Sequence, residues 1–324
     1  MKAIVYEKYG PPEVLQNKEV EKPVPNDNQV LIKIHAASIN AADWHLLTAD
    51  IFLIRFMTGF LKPKNQIFGE DIAGVVEAVG KNVTKFQPGD EVFGDIFGTG
   101  TGGYAEYACA SENALVLKPV SLSFEEAAAL PMASVTALQG LRDNGQIKPG
   151  AKVLINGASG GVGSYAVQIA KSFGAEVTAV CSTGKMEMAR TLGADHVIDY
   201  TKEDFTKNDQ KYDLILAANG FHPIVDYHRA LSPEGKYVMA GGTWPQMLQA
   251  MLMGSWYSRK GKKMEVLSAK PNTNDLNFIK ELFETGKLKP VIDKVFPMSE
   301  AVEAFRYFGE GHTRGKVVIR MNEH

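Results

Sequence analysis

The stretch VLINGASGGVGSYAVQIAK, residues 153–171, constrains the fold of this chain more than any other. A short β-branched run ends in a glycine-rich turn, and a helical pattern follows at once. Gly160, Gly161 and Gly163 sit where that helix opens. Glycine lets the backbone turn sharply and approach a pyrophosphate, whose charge then meets the amides of the helix N-terminus. The usual first glycine of a dinucleotide fingerprint is Ala158 here. Alone, the motif is weak. Its place at the start of a strand–helix–strand unit makes dinucleotide binding the better reading.

Helix and strand patterns then alternate through AEVTAVC, HVIDY, YDLILAANG and KYVMAGG, which predicts a parallel sheet with helices on both faces. The region upstream differs. QVLIKIHAASI, GVVEAVG, DEVFGDIFG and AEYACASENALVLKP are short, β-rich runs punctuated by Gly and Pro, as in a compact barrel or sandwich. Ser123 followed by Glu126 is a capping-box signature and predicts a helix start. The tail reads strand, helix, strand, and its strands are expected to return to the N-terminal barrel. The expected fold class is α/β, with one domain formed by residues 1–120 and 268–324 and an inserted doubly wound domain at 121–267.

Composition narrows the function. A formal net charge of -2 without runs of like charge gives no electrostatic surface for nucleic acid. Two cysteines, Cys109 and Cys181, exclude a disulfide framework and a four-thiolate zinc site. The N-terminus lacks the long apolar core of a signal peptide, and no apolar run reaches the roughly 20 residues of a membrane helix. The expected location is the cytoplasm, with no integral membrane segment.

NAD-binding sheets place an acid at the end of the second strand, where it accepts from the ribose hydroxyls. The corresponding strand here ends AVCSTGK, with Ser182, Thr183 and Lys185 and no carboxylate. Hydroxyls and a lysine suit a 2′-phosphate, which a carboxylate would repel. Tyr200, closing HVIDY, adds a further hydroxyl. The expected cofactor is therefore NADPH. A solvated loop lysine beside a strand-end tyrosine is the alternative.

NAADWH, FGEDIAGVVEAVG, FQPGDEVFG, GGYAEYA, EEAAALPMASVTALQGL, NGASGGVGSYAVQIAK, GADHVIDY and the terminal GKVVI together resemble the zinc-independent branch of the medium-chain dehydrogenase/reductases. Within it the chain is most similar to quinone oxidoreductases of the plastid-envelope type and to alkenal/enone reductases. The resemblance runs essentially end to end. It implies a GroES-like β-barrel domain plus an inserted Rossmann domain, commonly as a homodimer. It also implies hydride transfer from NADPH to a quinone or an activated carbon–carbon double bond, that is, to a small lipophilic electrophile.

Carried over by position, Ser159, Gly160, Gly161 and Val162 would line the pyrophosphate. Ser182, Lys185 and Tyr200 would hold the 2′-phosphate, and Thr136 would sit against the nicotinamide. Asn219 and Gly220, with Gly241 and Gly242, would border the nicotinamide ribose. Lys316 is a weaker carry-over to the cofactor. Zinc-dependent relatives carry a cysteine where Asn40 stands and a His-Glu pair where Glu70 and Asp71 stand, so the resemblance implies no metal.

That leaves SINAADWH, Ser38 to His45, as the polar cluster to explain. Asn40 is the candidate catalytic group facing nicotinamide or substrate, or else an amide satisfying a loop backbone. Asp43 is read as tying down the same turn, Trp44 as packing, and His45 as a surface or packing residue. Glu70 and Asp71 resemble an acid/base pair but are read as a loop-to-strand feature. Residues 51–61 and 247–257 are candidate walls of a lipophilic pocket, or ordinary core or subunit interface. Two rival functions stay open: alcohol/ketone oxidation, which the missing zinc ligands oppose, and a non-catalytic NADPH-binding sensor or assembly protein.

Overall fold

The computed structural model describes residues 1–51, 54–100, 102–242, 244–258 and 261–321. The chain divides into two compact units. One comprises Met1–Met132, Pro271–Lys280 and Pro290–His324; the other comprises Ala133–Lys270 and Glu281–Lys289. The first unit runs past the expected boundary at residue 120. The helix Phe124–Ala128, opened by the Ser123/Glu126 capping box, packs on the strands Gln29–Ile39 and Asp71–Val79 and so stays with them.

The first unit is built on a seven-stranded sheet. Its path runs Ile292–Pro297, Lys316–Arg320, Gln29–Ile39, Asp71–Val79, Glu91–Asp95 and Leu115–Leu117, with Tyr107–Ser111 also pairing with Gln29–Ile39. The C-terminal strands do return to this sheet, since Lys316–Arg320 pairs antiparallel with Gln29–Ile39. An aromatic knot of Tyr6, Phe68, Tyr104 and Phe305 fills the interior. Register decides which strand ends meet. Ser38 lies opposite Asp71, and Ile39 lies opposite Val317. The C-terminal end of the long central strand thus meets the beginnings of two neighbours that are remote in sequence.

The second unit is a six-stranded parallel sheet in the order His196–Asp199, Glu176–Cys181, Lys152–Asn156, Tyr212–Ala217, Leu231–Met239, Lys263–Val266. Strands buried on both faces need continuous apolar runs, and Val153, Leu154 and Ile155 are fully buried. The chain leaves Lys152–Asn156 toward one edge of the sheet and later returns to its other side at Tyr212–Ala217. At such a reversal the loops leaving the carboxyl ends part, and a ligand has room. The last strand, Lys263–Val266, is a sixth member that the hydrophobic pattern does not reveal. Among the described residues, no helix is long and apolar enough to cross a membrane.

Candidate active site

In the first unit, the chain turns from the central strand into the helix Ala41–Thr48 through Asn40, which is the helix N-cap. Asp43, at the third helical position, accepts the Asn40 backbone N–H at 2.8 Å. The turn is therefore tied as expected. Trp44 packs on Phe308, and a Cβ added at Gly309 would strike its ring. His45 reaches outward to Asp50 at 2.8 Å.

The Asn40 side chain does something else. Its Oδ1 accepts from the Lys316 ammonium, and its Nδ2 donates to Asp71 Oδ2 at 2.9 Å. Lys316 also lies 3.4 Å from that carboxylate oxygen. Ser38 Oγ donates to Asp71 Oδ2 at 3.1 Å, and the Met132 backbone N–H donates to Oδ1 at 2.9 Å. Asn40, Asp71 and Lys316 are all buried. Three residues from three strand ends thus form one closed polar cluster.

Asp71 does open a strand, as its loop-to-strand reading expects, but it is also the hub of this cluster. The family resemblance assigns Lys316 to the cofactor; here its ammonium is engaged by Asn40 and Asp71. Further acids lie close by. Burial pushes the carboxyls of Asp43 and Asp95 up to about 7, and the charge of Asp71 adds to both. Burial and then the neighbouring acids raise Glu70 well above the usual carboxylate range.

In the second unit the glycine-rich loop leaves Lys152–Asn156 and enters the helix Gly161–Ser172. Two glycines there are required by the fold itself. Gly157 has φ +80°, and so supplies the tight turn that Ala158 cannot. A Cβ at Gly163 would come within 2.1 Å of the Gly157 carbonyl oxygen. Gly160 is different. It has no positive φ, and an added Cβ would meet only the Gly157 oxygen, at 3.7 Å. Nothing in the protein demands glycine at 160, whereas a ligand pressed against the backbone would.

The other assigned positions follow at neighbouring strand ends. Ser182 comes after Glu176–Cys181; the Lys185 N–H donates to the Ser182 carbonyl at 2.9 Å and the Tyr200 N–H to the Cys181 carbonyl at 3.1 Å. Ser182, Lys185 and Tyr200 are thereby brought together. Asn219 and Gly220 follow Tyr212–Ala217, and Gly241 and Gly242 follow Leu231–Met239. Ser159, Gly160, Gly161 and Val162 complete the row. Thr136 does not belong to it, lying on the helix Pro131–Gln139.

Beneath the glycine loops runs a polar network that sequence reasoning missed. Asn156 Nδ2 donates to the Tyr227 hydroxyl at 2.7 Å, and Gln246 Nε2 donates to the Tyr237 hydroxyl at 3.0 Å. A Cβ at Gly220 would touch the Asn156 amide, and one at Gly242 the Gln246 amide, each at 3.0 Å.

The two lipophilic candidates divide. Phe56, Phe60 and Leu61 are exposed, while Phe52 and Leu53 lie outside the described residues. In the helix Trp244–Tyr257, Met247 packs toward the core, whereas Leu248 and Met251 are exposed; the side chain of Leu252 lies outside the described residues.

A GroES-like sheet unit in one chain with a doubly wound parallel sheet that carries a dinucleotide loop defines the medium-chain dehydrogenase/reductases. Residues 26–120 match the model of the alcohol dehydrogenase GroES-like domain, and residues 192–319 match the model described as zinc-binding dehydrogenase. The chain is 35% identical to the chloroplast envelope quinone oxidoreductase homolog of Arabidopsis thaliana, over 98% of both chains. It is 38% identical to the 2-methylene-furan-3-one reductase of Solanum lycopersicum, over 98% of this chain and 79% of that one. The solved quinone oxidoreductase of Coxiella burnetii superimposes with a TM-score of 0.89 at 32% identity, covering 99% of each chain. The chain is also 34% identical to an NAD(P)H oxidoreductase of Mus musculus, over 99% of this chain and 89% of that one. It belongs to the medium-chain dehydrogenase/reductase family, in its quinone oxidoreductase branch, and is an oxidoreductase of the nicotinamide-dependent kind.

Proposed function

We propose that this chain is an NADPH-dependent, zinc-free reductase of quinones or α,β-unsaturated carbonyls, acting as a cytoplasmic homodimer. The observation that carries the reading is the Asn40–Asp71–Lys316 cluster. Catalytic zinc takes three protein ligands of the Cys, His or carboxylate type and leaves one position open. Here the amide oxygen of Asn40 already faces an ammonium, and Asp71 already accepts four hydrogen bonds. A buried lysine cation beside these groups would repel a divalent one. A metal does not fit this donor set.

The nicotinamide cofactor does fit the second unit. Gly160 leaves open the space a ligand's pyrophosphate would take, and the first amides of the helix Gly161–Ser172 have no intrahelical acceptor. Ser182, Lys185 and Tyr200 carry donors for a 2′-phosphate, and the neighbouring Asp199 carboxylate is occupied by the hydroxyls of Thr183 and Thr201. When bound, the reduced nicotinamide supplies the hydride. The protein holds and orients the reactants, and the Asn40 amide stabilises negative charge that develops on the substrate's carbonyl oxygen. Cys109 and Cys181 are buried and not joined in a disulfide, which suits a reducing compartment.

The test follows NADPH absorbance with a panel of quinones, alkenals and 2-alkenones, with and without chelator. Turnover that survives chelation is expected. Loss of activity on chelation would refute the metal-free mechanism. Tight NADPH binding without oxidation by any acceptor would favour the sensor reading. Light scattering in solution tests the homodimer.

A further inference from the structure

We infer that Lys316 and Asp71 are positioning residues that lock the Asn40 amide in one orientation and make it a hydrogen-bond donor toward substrate; this rests on the proposed role of Asn40 as the group facing substrate.

Side-chain amides have two faces of opposite character, and which one a ligand meets is usually settled by small energies. Asn40 has no such freedom. Lys316 has only donors, so the atom facing it must be the amide oxygen. The Asp71 carboxylate only accepts, so the atom facing it must be the nitrogen. Turning the amide over would set NH₂ against an ammonium and oxygen against a carboxylate, both buried. Each clash would cost several times an ordinary hydrogen bond, because burial removes the screening of water. The oxygen and one N–H are thus consumed, and the second N–H has no partner among the described residues.

This polarity selects a substrate class. A lone N–H suits an oxygen that gains negative charge, as a carbonyl does when its conjugated carbon receives hydride. It cannot take the hydroxyl proton that an alcohol must lose before hydride leaves, so it supplies no base for alcohol oxidation. The cluster therefore favours reduction of conjugated carbonyls over alcohol oxidation. The ammonium also pulls on the amide oxygen, which strengthens the opposite N–H as a donor.

The test is a double-mutant cycle on the full chain, with Lys316→Met, Asn40→Ala and both together. Turnover is measured with saturating NADPH and a 2-alkenone, and NADPH affinity by fluorescence titration. Asn40→Ala should lower kcat about 100-fold, the scale of one lost oxyanion donor. Lys316→Met should lower kcat about tenfold in the native background and not at all in the Asn40→Ala background, with NADPH affinity unchanged. Equal losses in both backgrounds, no loss in either, or a parallel loss of NADPH affinity would overturn the inference. Should Lys316→Met fail to melt cooperatively, Lys316→Gln takes its place in the cycle. A native chain inactive toward every acceptor would instead bring down the underlying function, which separates the two failures.

Discussion

Asn40 and Lys185 illustrate two kinds of residue-scale information. The proposal for Lys185 rests on a local signal: it follows the second strand of the doubly wound unit, and that strand's own end, AVCSTGK, carries no acid. A charge-assisted bond to phosphate carries about 1.5–3 kcal/mol. Lys185→Ala should therefore weaken NADPH by about 10- to 100-fold while leaving NADH nearly unchanged, measured by paired titrations. Equal weakening of both cofactors would place Lys185 elsewhere than at the 2′-phosphate. The chemistry around Asn40 is only partly legible. Its tie to Asp43 spans three residues and can be read from the turn. Its ties to Asp71 and Lys316 span 31 and 276 residues, and depend on strand register. The pair GED does hold a signal, because an acid at a strand's first residue faces whatever its neighbour ends on.

At the scale of an element, the glycine loop separates fold from function. Gly163→Ala forces a Cβ into the backbone of Gly157, so the helix must shift. Overpacking of this sort costs about 1–3 kcal/mol. For a unit of this size, thermal melting should fall by about 2–4 °C for each of those kcal/mol. Gly160→Ala meets no such obstacle. It should leave the melting temperature within a degree or so, about the scale of a neutral surface change, yet weaken the dinucleotide. A Gly160→Ala variant that binds NADPH normally would show that no ligand presses on that backbone. The Ser123/Glu126 capping box is another element that the sequence predicts correctly. Ser123 Oγ accepts from the Glu126 N–H at 3.1 Å, and the Glu126 carboxylate accepts from the Ser123 N–H at 2.9 Å. Ser123→Ala should cost about 1 kcal/mol by denaturant titration. Both features are short-range, which is why sequence reveals them. The helix Trp244–Tyr257 is less legible. The spacing of its apolar residues suggests one face, but Met247 points inward while Leu248 and Met251 are exposed.

The whole molecule expresses its buried acids as a dependence of stability on pH. Asp43 and Asp95 titrate near 7 in the folded protein, and Glu70 also titrates above its ordinary value. Unfolded, such carboxyls titrate near 4. Between these values the native state keeps protons that the unfolded state releases, so stability falls as pH rises from about 4 to about 7. Asp199 and Asp204 act in the opposite sense. The hydroxyls of Thr183 and Thr201 hold Asp199 down to about 2, and Thr206 helps to do so for Asp204 against its burial. Their contribution is complete above about pH 4 and is lost as pH falls toward 2. Melting curves from pH 4.5 to 7.5 should therefore slope downward. Asp43→Asn should flatten that slope, and an unchanged slope would mean that Asp43 is ionised throughout.

What the sequence determined by itself was local and periodic. The glycine turn, the strand–helix alternation, the capping box and the strand-end residues all depend on contacts within a few positions or on a repeating hydrophobic pattern. From these the two kinds of domain and the doubly wound sheet could be derived, and the strand-end positions proposed for the cofactor could be named. What only the tertiary structure decided was which polar groups share a buried place. Antiparallel register sets Ser38 opposite Asp71 and Ile39 opposite Val317, which brings Lys316 to Asn40. Register is chosen by the packing of whole strands, so no short stretch encodes it. Yet it is that choice which turns an asparagine, an aspartate and a lysine, each ordinary in sequence, into one buried cluster with an amide N–H that has no partner among the described residues.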